Sequence, residues 1–342
     1  MASFDPDAPA APGSGLFGLD TPAASAGVRV LPVPFDATTS YRRGAAHGPA
    51  AVIAASRQVD LFDLRFGRPW RAGIHTAPLD PHIAEWNEAA SAAALPVIAA
   101  GGSEPGDPRA ARVDEYGERL NRLVHDWTAA TLSDDALPVV LGGDHSVPFG
   151  AIVACAERHP GLGLLHLDAH ADLRVAYEGF RWSHASILHN VLEQAPGVER
   201  VVQIGVRDLG ERERERIEAD ERITTLFDPE WGRARLEGSD LRRLAREHVE
   251  RLPDLVYLTF DVDGLDPSLC PGTGTPVPGG LLWHEVMALL EELVASGRRV
   301  VGCDLCEVSP GAAGDPRGES WDAVVGARLL YAMIGAAVAG RG

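Results

Sequence analysis

Six apolar runs of strand length punctuate the chain, at residues 28–35, 137–143, 162–168, 200–206, 255–263 and 298–308. They are rich in Val, Ile and Leu and do not alternate with polar residues, the pattern of strands covered on both faces. Between them, apolar positions recur at helical spacing over about 47–58, 112–131, 147–158, 184–195, 209–219, 239–252, 282–296 and 319–338. Strands alternating with helices predict an α/β fold in which a parallel sheet carries helices on both sides. Two stretches fall outside the scheme. Residues 76–110 are rich in Pro, Gly and Ala and read as a long surface excursion. Residues 264–281, "GLDPSLCPGTGTPVPGGL", follow a buried strand and hold too much Gly and Pro to continue it. They lie where ligands sit in such sheets, beyond the carboxyl ends of the strands.

Composition narrows the function classes. The formal charge of −18 disfavours a nucleic-acid or anionic-membrane partner. All 31 basic residues are arginine, a usage that fits a GC-rich genome better than a functional device. Residues 1–26 have neither a cationic start nor a continuous apolar stretch, so a mobile N-terminal arm on a cytoplasmic protein is expected. The four cysteines make a poor disulfide framework for 342 residues. Cys303 and Cys306 form a CxxC, but on a buried strand residues three apart point to opposite faces, which argues against a metal or redox site there. The alternating charges of "ERERERIEADER" from 211 read as a solvated helix face.

The candidate chemistry sits at three strand ends. In "LHLDAHADLR" (165–174) an apolar run gives way to Asp168, His170 and Asp172, and an extended chain would place all three on one side. "LTFDVDGLDP" repeats the pattern with Asp261 and Asp263, and "VVLGGDHS" contributes Asp144 and His145 after two glycines. Without a cation these carboxylates would repel one another and some would take up protons. Four carboxylates and two imidazoles exceed the needs of one tetrahedral zinc, and no thiolate belongs to the set. Mixed oxygen and imidazole donors suit manganese, with nickel or another divalent metal as alternatives. Two divalent ions would balance four carboxylates and generate hydroxide near neutral pH, which predicts hydrolysis at carbon or phosphorus.

In combination, "GGDHS" (142–146), "DAHADLR" (168–174), "SHAS" (183–186), "FDVDGLDP" (260–267), "GTGTPVPGGL" (272–281) and "CEVSP" (306–310) resemble the arginase/agmatinase (ureohydrolase) family. "TTSYRRGAAHGPAAVIAAS" (38–56) is similar to its N-terminal glycine-proline motif, and that motif with the 272–281 loop favours the agmatinase-like branch. The resemblance implies a three-layer α/β/α domain over residues 27–342 with a mainly parallel, about eight-stranded sheet, assembled as a homo-trimer or homo-hexamer. It implies two Mn2+ per chain: His145 and Asp172 on one ion, His170 and Asp263 on the other, Asp168 and Asp261 bridging, and Asp144 orienting the ligands from behind. It also implies that Glu307 pairs with a guanidinium and His184 shuttles protons, which suits an unperturbed pKa near 6.5. The reaction would be hydrolysis of a small guanidino compound to urea and an amine, with agmatine, a substrate of polyamine metabolism, as the first guess.

Substrate choice stays open at this point. Ala185 stands where the family commonly has Gly after the shuttle histidine, and "SILHN" replaces the usual agmatinase continuation. The lip at 175–182 offers Tyr177, Glu178 and Arg181: Glu178 could attract a distal amine, Arg181 a distal carboxylate. Guanidinobutyrate, another guanidino acid, free guanidine and formiminoglutamate are alternatives, and a catalytically silent scaffold is the reading outside enzymology. His166 is expected to be a satisfied core histidine, and His189 to lie off the site.

Overall fold

The computed structural model describes residues 5–311, 313–315 and 317–341. Eight strands, β1 (Val28–Val33), β2 (Ile74–Thr76), β3 (Leu137–Gly142), β4 (Leu162–Leu167), β5 (Val198–Ile204), β6 (Ile223–Leu226), β7 (Leu255–Asp261) and β8 (Arg299–Cys306), form one sheet. Their order is β2-β1-β3-β8-β7-β4-β5-β6, and every neighbouring pair is parallel. The helices are α1 (Gly48–Ser56), α2 (Pro81–Ala99), α3 (Pro108–Ser133), α4 (Phe149–Arg158), α5 (Ile187–Gln194), α6 (Glu211–Ala219), α7 (Asp228–Leu236), α8 (Leu241–Val249), α9 (Trp283–Ala295) and α10 (Trp321–Ala339).

Burial of both strand faces divides the apolar interior into two cores. Side chains such as Val139, Leu165, Leu258 and Leu305 meet α1 and α7–α10, while Val140, Leu164, Tyr257 and Val301 meet α2–α6. The result is a helix–sheet–helix sandwich. Cys303 lies in the first core and Cys306 in the second, both free, as alternation along β8 requires. Helix α10 is long and apolar enough to cross a membrane, yet 72% of its apolar window is buried inside the domain.

The six apolar runs are the six interior strands. The two strands without such a run, β2 and β6, are the sheet edges, only three and four residues long and partly exposed. The excursion expected at 76–110 is corrected: it holds all of α2 and the start of α3. Its prolines are helix starters. Pro81 and Pro108 occupy first helical positions, and the preceding Asp80 and Asp107 accept from the backbone N–H groups of His82 and Arg109. The mobile arm is corrected too. Leu16, Phe17 and Leu19 are buried in the first core, Phe17 N–H donates to Ser56 Oγ (2.8 Å), and Arg57 holds the Ser14 carbonyl. Residues 1–4 lie outside the described part.

Candidate metal centre

Four adjacent strands, β3, β8, β7 and β4, deliver the site from their carboxyl ends, which a parallel sheet places at one edge. Three of the ends share one local device. Asp144 Oδ1 accepts the N–H of Ser146 (3.1 Å), Asp168 Oδ1 that of His170 (2.6 Å) and Asp261 Oδ1 that of Asp263 (2.8 Å). Each aspartate folds the chain back over itself in a side-chain-closed turn. The sequence argument from an extended chain through residue 172 is therefore corrected: β4 stops at Leu167, and Asp172 has a left-handed backbone, φ 54°. Glu307 is also left-handed, φ 65°. Such conformations in non-glycine residues persist only where surroundings impose them, and they concentrate at functional sites. Gly143 is required by close approach: a Cβ there would stand 1.9 Å from the Phe35 carbonyl oxygen.

The six proposed ligands converge in two overlapping nests. His145 Nδ1 lies 3.0 Å from Asp168 Oδ2, 3.0 Å from Asp172 Oδ2 and 3.6 Å from Asp261 Oδ2. His170 Nδ1 lies 3.0 Å from Asp263 Oδ2 and 3.4 Å from Asp168 Oδ1. Asp168 thus gives one oxygen to each nest. Asp261 Oδ2 faces the first nest, and its Oδ1 accepts the N–H of Asp263, a member of the second, as Asp168 Oδ1 accepts that of His170.

Left to the protein's own charges, the cluster is strained toward a cation. Burial drives Asp172 up to about 7, and burial with Asp263 and Asp168 beside it drives Asp261 well above the carboxylate range. Burial would lower the histidines, but the carboxylates overcome it, raising His145 well above its usual value and His170 to about 12. Asp168 goes the other way: burial is outweighed by His166, His145 and His170, which hold it ionised. A donor set of buried carboxylates and imidazoles with surplus negative charge suits divalent cations.

Behind the nests stand residues the sequence pattern left unmarked. Gln203 Nε2 donates to the Ala171 carbonyl (2.9 Å) and to His166 Nδ1 (3.1 Å). This leaves the His166 proton on Nε2, which donates to Asp168 Oδ2 (3.0 Å). His166 is the core histidine expected, and it also steadies the shared carboxylate. Asp144 is corrected: it makes no hydrogen bond to the proposed ligands' side chains, and instead accepts from the Thr38 N–H and Oγ1 (3.2 and 2.8 Å) and from Ser146. Thr38 Oγ1 in turn accepts the His184 N–H (3.1 Å) and lies 3.4 Å from His184 Nδ1. Burial and the neighbouring His170 and His145 lower His184 to about 4, so the expected pKa near 6.5 does not hold. Glu307 Oε1 accepts the His145 N–H (3.1 Å), while its buried Oε2 has no hydrogen-bond partner among the described residues and faces Gly274. Burial and Asp144 raise its carboxyl well above the usual range.

A cavity of about 280 Å³ opens onto this floor. His170, Asp172 and His184 line it, with Ser40, Tyr41, Arg174, Tyr177, Asp208 and Thr275–Val277 around them. Of the three lip residues singled out, only Tyr177 lines the cavity, with its ring edge-on to His184 at 6.0 Å. Glu178 and Arg181 are corrected. Neither lines the cavity: the Glu178 backbone carbonyl accepts the Ser103 N–H of the α2–α3 connection, and the Arg181 guanidinium lies over the Trp182 ring. The rim carboxylate is Asp208, on the loop between β5 and α6, exposed and without a side-chain partner among the described residues. Backbone bonds from Arg207 and Asp208 to the Ala169 carbonyl (2.8 and 3.1 Å) pin that loop beside the ligand-bearing turn.

The Arginase family model matches residues 26–335. The N(1)-aminopropylagmatine ureohydrolase of Thermus thermophilus is 34% identical over 317 residues, covering 92% of each chain. The agmatinase of Pyrococcus horikoshii is 33% identical and covers 90% of each. Among solved structures, proclavaminate amidino hydrolase from Streptomyces clavuligerus superposes with a TM-score of 0.71 at 26% identity, covering 97% of this chain and 99% of its own.

Proposed function

The chain belongs to the arginase family and is a hydrolase of guanidino C–N bonds; from that premise we propose that it releases urea from a guanidino compound with a cationic tail, agmatine first, at two Mn2+ ions. The observation that carries the proposal is the pair of ligand nests sharing Asp168, opening onto a cavity whose unpaired rim carboxylate is Asp208. His145 and Asp172 would hold one ion and His170 and Asp263 the other, with Asp168 and Asp261 shared between them. When bound, such a pair supplies hydroxide near neutral pH and positive charge at the guanidino carbon.

The chain's own residues supply orientation and proton handling. A guanidinium is a resonance-stabilised cation with donors in one plane, and Glu307 Oε2, buried and unpartnered, is the acceptor that can align it. Gly274 leaves the space in front of that oxygen open. His184 is neutral at pH 7 and can take the proton of the hydroxyl added to the guanidino carbon and pass it to the amine nitrogen as the C–N bond breaks and the urea carbonyl forms. Asp208 lies at the rim, where the distal ammonium of a flexible diamine tail would emerge. Arg174, the cation on the same rim, is engaged by Glu213 (3.4 Å) and stacks over Tyr177. This balance favours an amine over a carboxylate tail, and it moves the selective charge from Glu178 to Asp208.

The test is urea release by manganese-reconstituted protein from agmatine, an aminopropyl-extended agmatine, 4-guanidinobutyrate, guanidine and formiminoglutamate. Agmatine or its extended form should give the highest kcat/KM. Formamide as the product, or preference for the acid, would overturn the assignment. The proposal includes a cytoplasmic homo-trimer or homo-hexamer acting on small substrates, and a monomer in light scattering would remove that part.

A further inference from the structure

We propose that Thr259 and Asp304 form a positioning relay that keeps the His145 proton on Nε2 and presents Nδ1 to the metal; the inference rests on the reading of His145 as a ligand. Nδ1 is the ring nitrogen that faces Asp168, Asp172 and Asp261. To offer a lone pair there, the neutral ring must carry its proton on Nε2, and a buried N–H needs an acceptor. That acceptor is Thr259 Oγ1, 2.8 Å away.

A hydroxyl alone would not fix the tautomer, because it can donate or accept. Asp304 settles the direction. Thr259 Oγ1 donates to Asp304 Oδ1 at 3.0 Å, which leaves its lone pairs for the imidazole N–H. Both residues are fully buried, and they are direct partners across the β7–β8 ladder, so the sheet sets their geometry. Asp304 Oδ2 has no hydrogen-bond partner of good geometry among the described residues, with the buried Tyr257 hydroxyl as its polar neighbour, and His145 Nε2 lies 3.8 Å from Oδ1. A carboxylate buried this deeply with an unpaired oxygen destabilises the core it sits in. What it offers in return is the direction it imposes on Thr259 and, through it, on His145.

His145, Asp304 and Cys306 also cluster closely enough to suggest a separate metal site. The relay accounts for them otherwise. Cys306 Sγ donates weakly to Asp304 Oδ1 at 3.6 Å, and burial with Asp304 close by keeps the thiol protonated. His145 Nε2 is already committed to Thr259.

The test uses the full chain and Mn2+ alone, with affinities read by titration calorimetry against a competing chelator. Wild type should hold two ions. Thr259→Val should weaken one of them about 10- to 100-fold and leave the other unchanged. Thr259→Ser, which restores the hydroxyl, should recover the wild-type values. Asp304→Asn keeps an acceptor for Thr259 but loses the charge, and should weaken the same ion by a smaller factor; it carries the test if Thr259→Val does not fold. Unchanged affinities in both Thr259→Val and Asp304→Asn overturn the relay, as does an equal loss at both ions, which marks general damage. A wild type that holds no Mn2+ overturns the ligand reading and the relay together, a result distinct from either of those.

Discussion

The floor and the lip of the cavity are held by different forces. On the floor, Asp144, Asp168 and Asp261 stand at or just beyond the ends of strands fixed on both sides by their neighbours, and a hydrogen bond from its own turn sets the direction of each. The lip at 175–182 hangs instead on contacts with distant chain. Ser103 N–H holds the Glu178 carbonyl, Asp114 accepts the N–H groups of Arg181 and Trp182, and Tyr177 pairs with Phe180 across a tight turn. Where the sheet fixes the backbone, residue type and spacing suffice to place chemistry. Where packing against α2 and α3 fixes it, a lip residue's identity says little about which way it faces.

Disabling the floor should have the largest effect. Asp168→Asn neutralises the carboxylate shared by both nests, and kcat should fall on the order of a thousandfold or more, with manganese content dropping below that of wild type. Metal analysis beside steady-state kinetics checks both. Gly143→Ala attacks the floor through shape alone: a Cβ 1.9 Å from the Phe35 carbonyl should cost about 3 kcal/mol, read by denaturant unfolding. Equal stability would mean the strand end is softer than described.

His184 joins floor to lip, touching Thr38 on one side and Tyr177 on the other. Its folded pKa of about 4 lies below the unfolded value near 6.5, so the unfolded chain binds the extra proton. Stability is then present in full above about 6.5 and lost as pH falls toward 4. His184→Gln should flatten that slope by about 1–2 kcal/mol between pH 7 and 5, measured on protein freed of metal by chelator. On the lip side effects shrink. Asp208→Asn should raise KM for agmatine about tenfold with kcat nearly unchanged. Glu178→Gln should leave both within a factor of two, and a larger effect there than at Asp208 would invert the comparison.

The same contrast explains what could be read in advance. The interior strands, the parallel order and the convergence of the strand-end aspartates follow from uninterrupted apolar runs, because two-sided burial leaves that signature. Edge strands β2 and β6 leave none, and prolines 81 and 108 suggested a loop because a breaker and a helix starter are the same residue. Leu16 and Phe17 gave too short an apolar signal to reveal that they dock on α1. Asp208, Thr259 and Asp304 look ordinary until chain folding brings them beside His170 and His145, from sequence positions up to 159 residues away from their partner.

At three strand ends the length of the acidic side chain matters as much as its charge. Asp144, Asp168 and Asp261 each close a ring through one carboxylate oxygen and a backbone N–H two residues on. Glutamate carries the same charge, but its additional methylene enlarges that ring and moves the other oxygen outward. At these positions charge is interchangeable and reach is not, so Asp168→Glu should behave as a loss of shape in a site whose net charge is unchanged.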